Sequence, residues 1–164
     1  MDSSNTAWGL LLQALGTYEG RGLNHERETF RSELTLSTKL PDKVLALQSS
    51  AIGEHGEIFH QEMSWIGRDD RGQIQMWVAS NNHPSITVHS FDRLETTAEC
   101  QSVIFSYGDP SDRESFREEI TLCIFTDGQL AHQYAWGLPG GDFKPRSGSK
   151  MKKKRAASRP EAQL

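Results

Sequence analysis

Cysteine is scarce in this chain of 164 residues: Cys100 and Cys123 are too few for a disulfide framework and match no metal-ligand spacing. No apolar run approaches the ~20 residues that a membrane-spanning helix needs. The first residues, Met1-Asp2-Ser3-Ser4-Asn5, lack the basic start and apolar stretch of a secretory signal. These absences predict a cytoplasmic protein with reduced thiols and no membrane partner. If both cysteines lie on strands a bridge is geometrically open, although such a compartment disfavours it.

Motifs of nucleophilic and phosphate chemistry are missing as well. No serine sits in a Gly-x-Ser-x-Gly elbow and no cysteine has an adjacent histidine. Gly20-Arg21-Gly22 lacks the remaining glycines and the following helix of a phosphate loop, and reads instead as a place where a strand bends. The formal net charge of −4 gives no general reason to expect nucleic acid. Positive charge collects at the end of the chain, in Lys150, Lys152, Lys153, Lys154 and Arg155. That run reads as a solvated, disordered tail over 153–164, leaving 6–152 as the folded domain.

Helical periodicity is confined to the start, where Asn5 or Thr6 can cap a short helix. Trp8, Leu11, Leu12 and Leu15 fall on one of its faces, and Gly16 stops it. From Thr17 onward the period is two. Over Thr29–Thr38, Phe30, Ser32, Leu34 and Leu36 alternate with Arg31, Glu33, Thr35 and Ser37. Further strands are expected at Val44–Ile52, Ile58–Ile66, Ile74–Ala79, Ile86–Phe91, Leu94–Ala98, Ser102–Tyr107, Phe116–Phe125, Leu130–Trp136 and Phe143–Met151. Turn signals separate them, Asp127-Gly128 being a strong hairpin cue. Turns about every 8 to 12 residues with no crossover helix predict an all-β, up-and-down antiparallel barrel. Closure removes the two exposed edges of such a meander. A barrel of about ten strands is wide enough to keep an interior cavity.

Phe59-His60-Gln61-Glu62-Met63-Ser64-Trp65 is the most informative stretch. On a strand His60 and Glu62 share one side, and Phe59, Met63 and Trp65 the other. Either the polar row lines the interior and the aromatic row lies outside, or the reverse. One His-x-Glu is too little for a metal site, because no second cluster of suitable spacing accompanies it. His83 and His89 lie on or beside a further strand, and two histidines alone make no metal site. The aromatic set of Tyr18, Trp77, Tyr134 and Trp136 can line a pocket or fill a core.

Leu15-Gly16-Thr17-Tyr18-Glu19-Gly20-Arg21-Gly22, followed by Phe30-Arg31-Ser32-Glu33, resembles the opening strands of nitrobindin-like proteins. These are relatives of the fatty-acid-binding and lipocalin (calycin) barrels. They begin Gly-Thr-Trp-x-Gly-x-Gly, and Tyr18 stands at the tryptophan position. Phe59-His60-Gln61-Glu62 with Trp65 and Arg68 is similar to that family's His-x-Glu strand, and Ala79-Ser80-Asn81 to the segment after it. The likeness runs, with gaps, from about Leu15 to Lys154.

The resemblance implies a barrel with a cavity open at one end, in which His60 and Glu62 are wall residues. It also implies a cavity able to hold heme b, its ferric iron bound by a last-strand histidine and open to nitric oxide or peroxynitrite. The sequence departs there: Phe143–Met151 contains no histidine, and Arg146 or Ser147 falls near the ligand position. Heme is therefore not expected by that route. The reading is a barrel, monomeric or homodimeric, that binds a small apolar or planar ligand through Tyr18, His60, Glu62, Trp77, Tyr134, Trp136 and Arg146. No metal is expected. The alternatives are a heme protein of the nitrobindin type and a cavity enzyme in which His60 or Glu62 moves a proton.

Overall fold

A computed structural model describes residues 3–155. Helix α1, Ser3–Gln13, is followed by ten strands: β1 Gly16–Leu23, β2 Thr29–Leu40, β3 Val44–Gly53, β4 Ile58–Arg68, β5 Ile74–Ser80, β6 Thr87–Thr96, β7 Cys100–Tyr107, β8 Arg117–Phe125, β9 Leu130–Gly137 and β10 Lys144–Lys153. Each strand pairs antiparallel with the next, and β10 returns to β1, so the sheet is a closed barrel. Short hairpins permit no other order, and closure leaves no unpaired edge. Among the described residues no helix is long and apolar enough to cross a membrane.

Two expected boundaries shift. Ile86–Phe91 and Leu94–Ala98 are one strand, β6, whose register slips between Phe91 and Arg93. A bulge inserts a residue without ending the ladder, and in sequence it mimics a turn. The domain also extends past 152. β10 continues to Lys153, and the Lys154 N–H donates to the Thr17 carbonyl at 2.7 Å. The Lys154 ammonium pairs with Glu19 at 3.1 Å and Glu33 at 3.2 Å. The remainder of the expected tail, 156–164, lies outside the described residues.

Helix α1 buries Ala7, Leu10 and Leu11, with Ala14 just beyond it, while Trp8, Leu12 and Leu15 are only partly covered. The buried stripe is therefore rotated from the expected one, because the small Ala7 and Ala14 let the backbone approach the barrel. Arg68 at the end of β4 fixes the helix start, donating to Asn5 Oδ1 at 2.8 Å and Ser4 Oγ at 3.3 Å. The Tyr18 hydroxyl donates to the Ala14 carbonyl at 2.8 Å, satisfying one acceptor beyond the helix end.

The inward residues nearest α1 are Leu34, Leu36, Leu45, Leu47, Ile66 and Met76, joined by Phe105, Ile120 and Leu122, all essentially inaccessible. They form one continuous apolar cluster with the helix. On β1, Gly22 is required by packing: a Cβ there would lie 2.3 Å from the Phe30 ring. The first strand thus yields its interior volume to Phe30 rather than merely bending.

Candidate binding cavity

At the end of the barrel away from α1 the interior opens into a cavity of about 620 Å³. It exists because the inward positions change character along each strand. β2 offers Phe30 and Ser32 before Leu34, β3 offers Ser49 after Leu47, and β4 offers His60, Glu62 and Ser64 before Ile66. On β9, His132, Tyr134 and Trp136 follow Leu130, and on β10 Ser147 and Ser149 precede Met151. Short polar side chains leave volume that leucines would fill.

Glu62 is the centre of the wall. It is 5% exposed, and both its oxygens are engaged. The Ser64 hydroxyl donates to Oε1 at 2.6 Å, and the Tyr134 hydroxyl donates across the barrel to Oε2 at 2.6 Å. His60 Nε2 lies 3.3 Å from Oε2 and 3.0 Å from the Tyr134 oxygen. The Asn82 amide lies 3.0 Å from His60 Nδ1 and donates to it, which leaves the ring proton on Nε2, pointing at Glu62. The turn after β5 holds Asn82 there: Asn81 accepts the Gln61 N–H at 2.7 Å, and Asn82 also donates to the Phe59 carbonyl at 3.1 Å.

Burial pushes the Glu62 pKa up. The His60 hydrogen bond, the His132 and His60 rings and the Ser64 hydroxyl outweigh it and bring the carboxyl down to about 2. Burial lowers His132 to about 4, against the opposing pull of Glu62, so this imidazole is neutral at neutral pH. Burial and the Glu62 charge raise the Tyr134 phenol well above its ordinary value. His132 Nε2 has no hydrogen-bond partner among the described residues.

A second carboxylate, Glu118 on β8, lines the same cavity. The fully buried His89 of β6 donates to its Oε2 at 2.9 Å, reaching over β7 beside the tilted Tyr107 ring. Around the mouth stand His25, edge-on to Trp136 at 5.4 Å, and His83, edge-on to Phe116 at 4.8 Å. Four of the six histidines therefore line the cavity.

The rim is held by Arg117, whose side chain is buried at 1% exposure and has no carboxylate partner among the described residues. Its guanidinium donates to the carbonyls of Leu138 at 2.8 Å and Gly141 at 2.7 Å, and more weakly to Ser115 and Pro110. Those carbonyls tie the loop before β8 to the loop after β9, beside Phe116. Gly137 makes room for the clamp, since a Cβ there would lie 2.7 Å from the guanidinium carbon.

The structure brings His60, Glu62, Tyr134 and Trp136 together in the cavity wall. Three other expected ligand residues lie elsewhere. Tyr18 is in the apolar cluster under α1, because β1 reaches the helix end of the barrel at that position. Trp77 pairs with Trp65 on the outer surface, since the inward positions of β5 are Ile74, Met76 and Val78. Arg146 sits where the register between β9 and β10 slips, which swings it out of the alternation. It stacks over Trp136 at 4.2 Å and donates to the carbonyls of Trp136 and Asp142 at 3.1 Å.

His132, Glu118 and Ser49 were not singled out by sequence. His132 is two residues before Tyr134 on an alternating strand, so parity puts it on the same face as Tyr134. His83 escapes the parity argument because it belongs to the turn after β5. Both cysteines are free, with Cys123 accepting from Ser102 on the outer side of the sheet at 3.2 Å.

No family model and no curated protein matches the chain. Among solved structures, Rv2717c from M. tuberculosis superposes with a TM-score of 0.70 at 15% identity, covering 91% of this chain and 98% of that one. The CRL protein of Arabidopsis superposes with a TM-score of 0.54 at 10% identity, covering 94% and 100%. The likeness is one of fold.

The residues present do not fit heme b by the route the resemblance implies. The last strand gives the cavity Ser147, Gly148 and Ser149, and no imidazole. The lining also carries four glutamates and, among the described residues, no lysine or arginine, which suits poorly a group bearing two carboxylates.

Proposed function

We propose that the barrel binds a small organic molecule, its apolar or planar body between Phe30, Phe59, Phe116 and Trp136 and its polar head against Glu62, His60 and Tyr134. One observation carries this: an open-ended cavity of about 620 Å³ combines apolar walls with a rigid polar cluster. That size and that mixture are those of small-molecule sites. The Glu62 network is fixed by hydrogen bonds from β4, β9 and the turn after β5, so the head of a ligand meets a preorganised surface.

The same network speaks for binding over proton transfer. A carboxylate held at about 2 is a weak base, and a phenol raised above its usual value is a weak acid. Organic extraction of the purified protein, followed by mass spectrometry of the extract, tests the reading. A stoichiometric small molecule, lost in a variant whose cavity is filled by Ser49→Trp, supports it. An extract without any such molecule, together with a melting temperature that no small-molecule panel raises, counts against it. A heme pigment would reopen the ligation question.

A further inference from the structure

The charge of the cavity can be read from its lining, and this deepens the ligand-binding reading on which it rests. Glu26 and Glu28 stand at the mouth, Glu62 and Glu118 in the wall, and among the described residues no lysine or arginine lines the space. Arg146, the one cation expected there, is turned away onto Trp136 and backbone carbonyls. Every fixed full charge that the cavity presents is therefore negative. Glu62 stays ionised because its network stabilises the anion. Glu118 uses Oε2 for His89, and its other oxygen has no hydrogen-bond partner among the described residues.

Two further features suit the same chemistry. Phe59, Phe116, Tyr134 and Trp136 also line the space, and aromatic side chains favour cationic neighbours. His132, 5% exposed and part of the lining, has an Nε2 with no protein partner among the described residues. A neutral imidazole nitrogen can accept a hydrogen bond from an N–H of an occupant. A ligand carboxylate or phosphate would meet like charge in a lining that, among the described residues, offers no lysine or arginine to pair with it. We propose that the barrel takes organic cations, protonated amines carried on a planar or apolar body, and rejects the acids that fatty-acid carriers bind. The mouth glutamates raise the local concentration of such cations, and salt weakens that effect.

Three probes sharing one ring separate charge from fit: tryptamine, 3-methylindole and indole-3-acetate, titrated calorimetrically into the wild-type protein at pH 8. Tryptamine is expected to bind at least tenfold more tightly than 3-methylindole, and indole-3-acetate more weakly than both. Glu118→Gln should cut the preference for tryptamine over 3-methylindole by about tenfold. Glu62→Gln should act in the same direction, and Glu118→Gln keeps the test decisive if that variant fails to fold. Equal binding of all three probes, or tighter binding of indole-3-acetate, overturns the cation inference and leaves the cavity reading standing. No binding of any probe at millimolar concentration overturns both.

Discussion

The two ends of the barrel interior are built from the same strands on the same alternation, yet they are different media. Near α1 the inward side chains are Leu34, Leu36, Leu45, Leu47, Ile66 and Met76, closely packed and dry. Toward the mouth the same strands present Ser32, Ser49, Glu62 and His60, which enclose space. At the first end stability comes from buried apolar area and dispersion. At the second the polar groups are stabilised by one another, and what they gain is a defined shape and charge. The comparison teaches where variation is tolerated: volume matters at the helix end, whereas hydrogen-bond partners and charge matter at the mouth.

Removing volume at the dry end should have the largest effect. Phe105→Ala, at a position with 0% exposure, should cost about 4 kcal/mol. That lowers the melting temperature by ~12 °C, and calorimetry would reveal it. A loss below about 1 kcal/mol would show that the apolar end is not the part that holds the barrel together.

Acid should attack the other end first. The unfolded chain protonates His132 near the ordinary imidazole value of 6.5, but the folded chain resists until about 4, so stability falls as the pH drops through that window. Glu62 extends the loss from 4.5 toward 2, because the unfolded carboxylate takes its proton first. The His132 contribution amounts to about 3 kcal/mol once the pH reaches its folded value. Urea unfolding at pH 7.5, 5.5 and 4.5 would show it, and His132→Leu should flatten the profile between 6.5 and 4. An unchanged slope in that variant would move the acid sensitivity to other groups.

The rim comes next. Arg117→Met leaves the Leu138 and Gly141 carbonyls without their donor and should cost about 2 kcal/mol. Hydrogen exchange should quicken in the 108–116 and 138–143 loops while the apolar end stays protected. Uniform loss of protection would mean that the clamp supports the whole barrel and not its mouth. The smallest effect is expected from Ser149→Ala, which removes the 2.9 Å contact with Ser32 and should cost at most about 1 kcal/mol. A larger loss would show that the cavity wall is as intolerant as the core.

Much of this molecule is legible in its sequence. Regular turn cues and clean alternation specified an up-and-down barrel with a short leading helix, since hairpin connections force neighbouring strands to pair. His60 and Glu62 were placed on one face by period two, and the inward choice followed from the resemblance. Tyr134 and Trp136 are two residues apart on β9 and share a face for the same reason. Trp77 was misassigned because parity separates two faces without saying which is inside. Tyr18 was misassigned because parity carries no information about depth along the barrel axis. Arg146 escaped because a register slip breaks parity where it stands. The bulge after Phe91 split one strand into two on paper for the same reason.

Local sequence thus determined the strand order and the alternation within each strand, because both depend on neighbours a few residues apart. Only the closed barrel decided that Tyr134 reaches Glu62 from 72 positions away, that Glu118 meets His89 over an intervening strand, and that the carboxylates of the lining are joined there by no lysine or arginine among the described residues. Those contacts depend on strand stagger and on which end of the interior a residue occupies. Stagger is set by the closure of the whole sheet, and no stretch of sequence contains it.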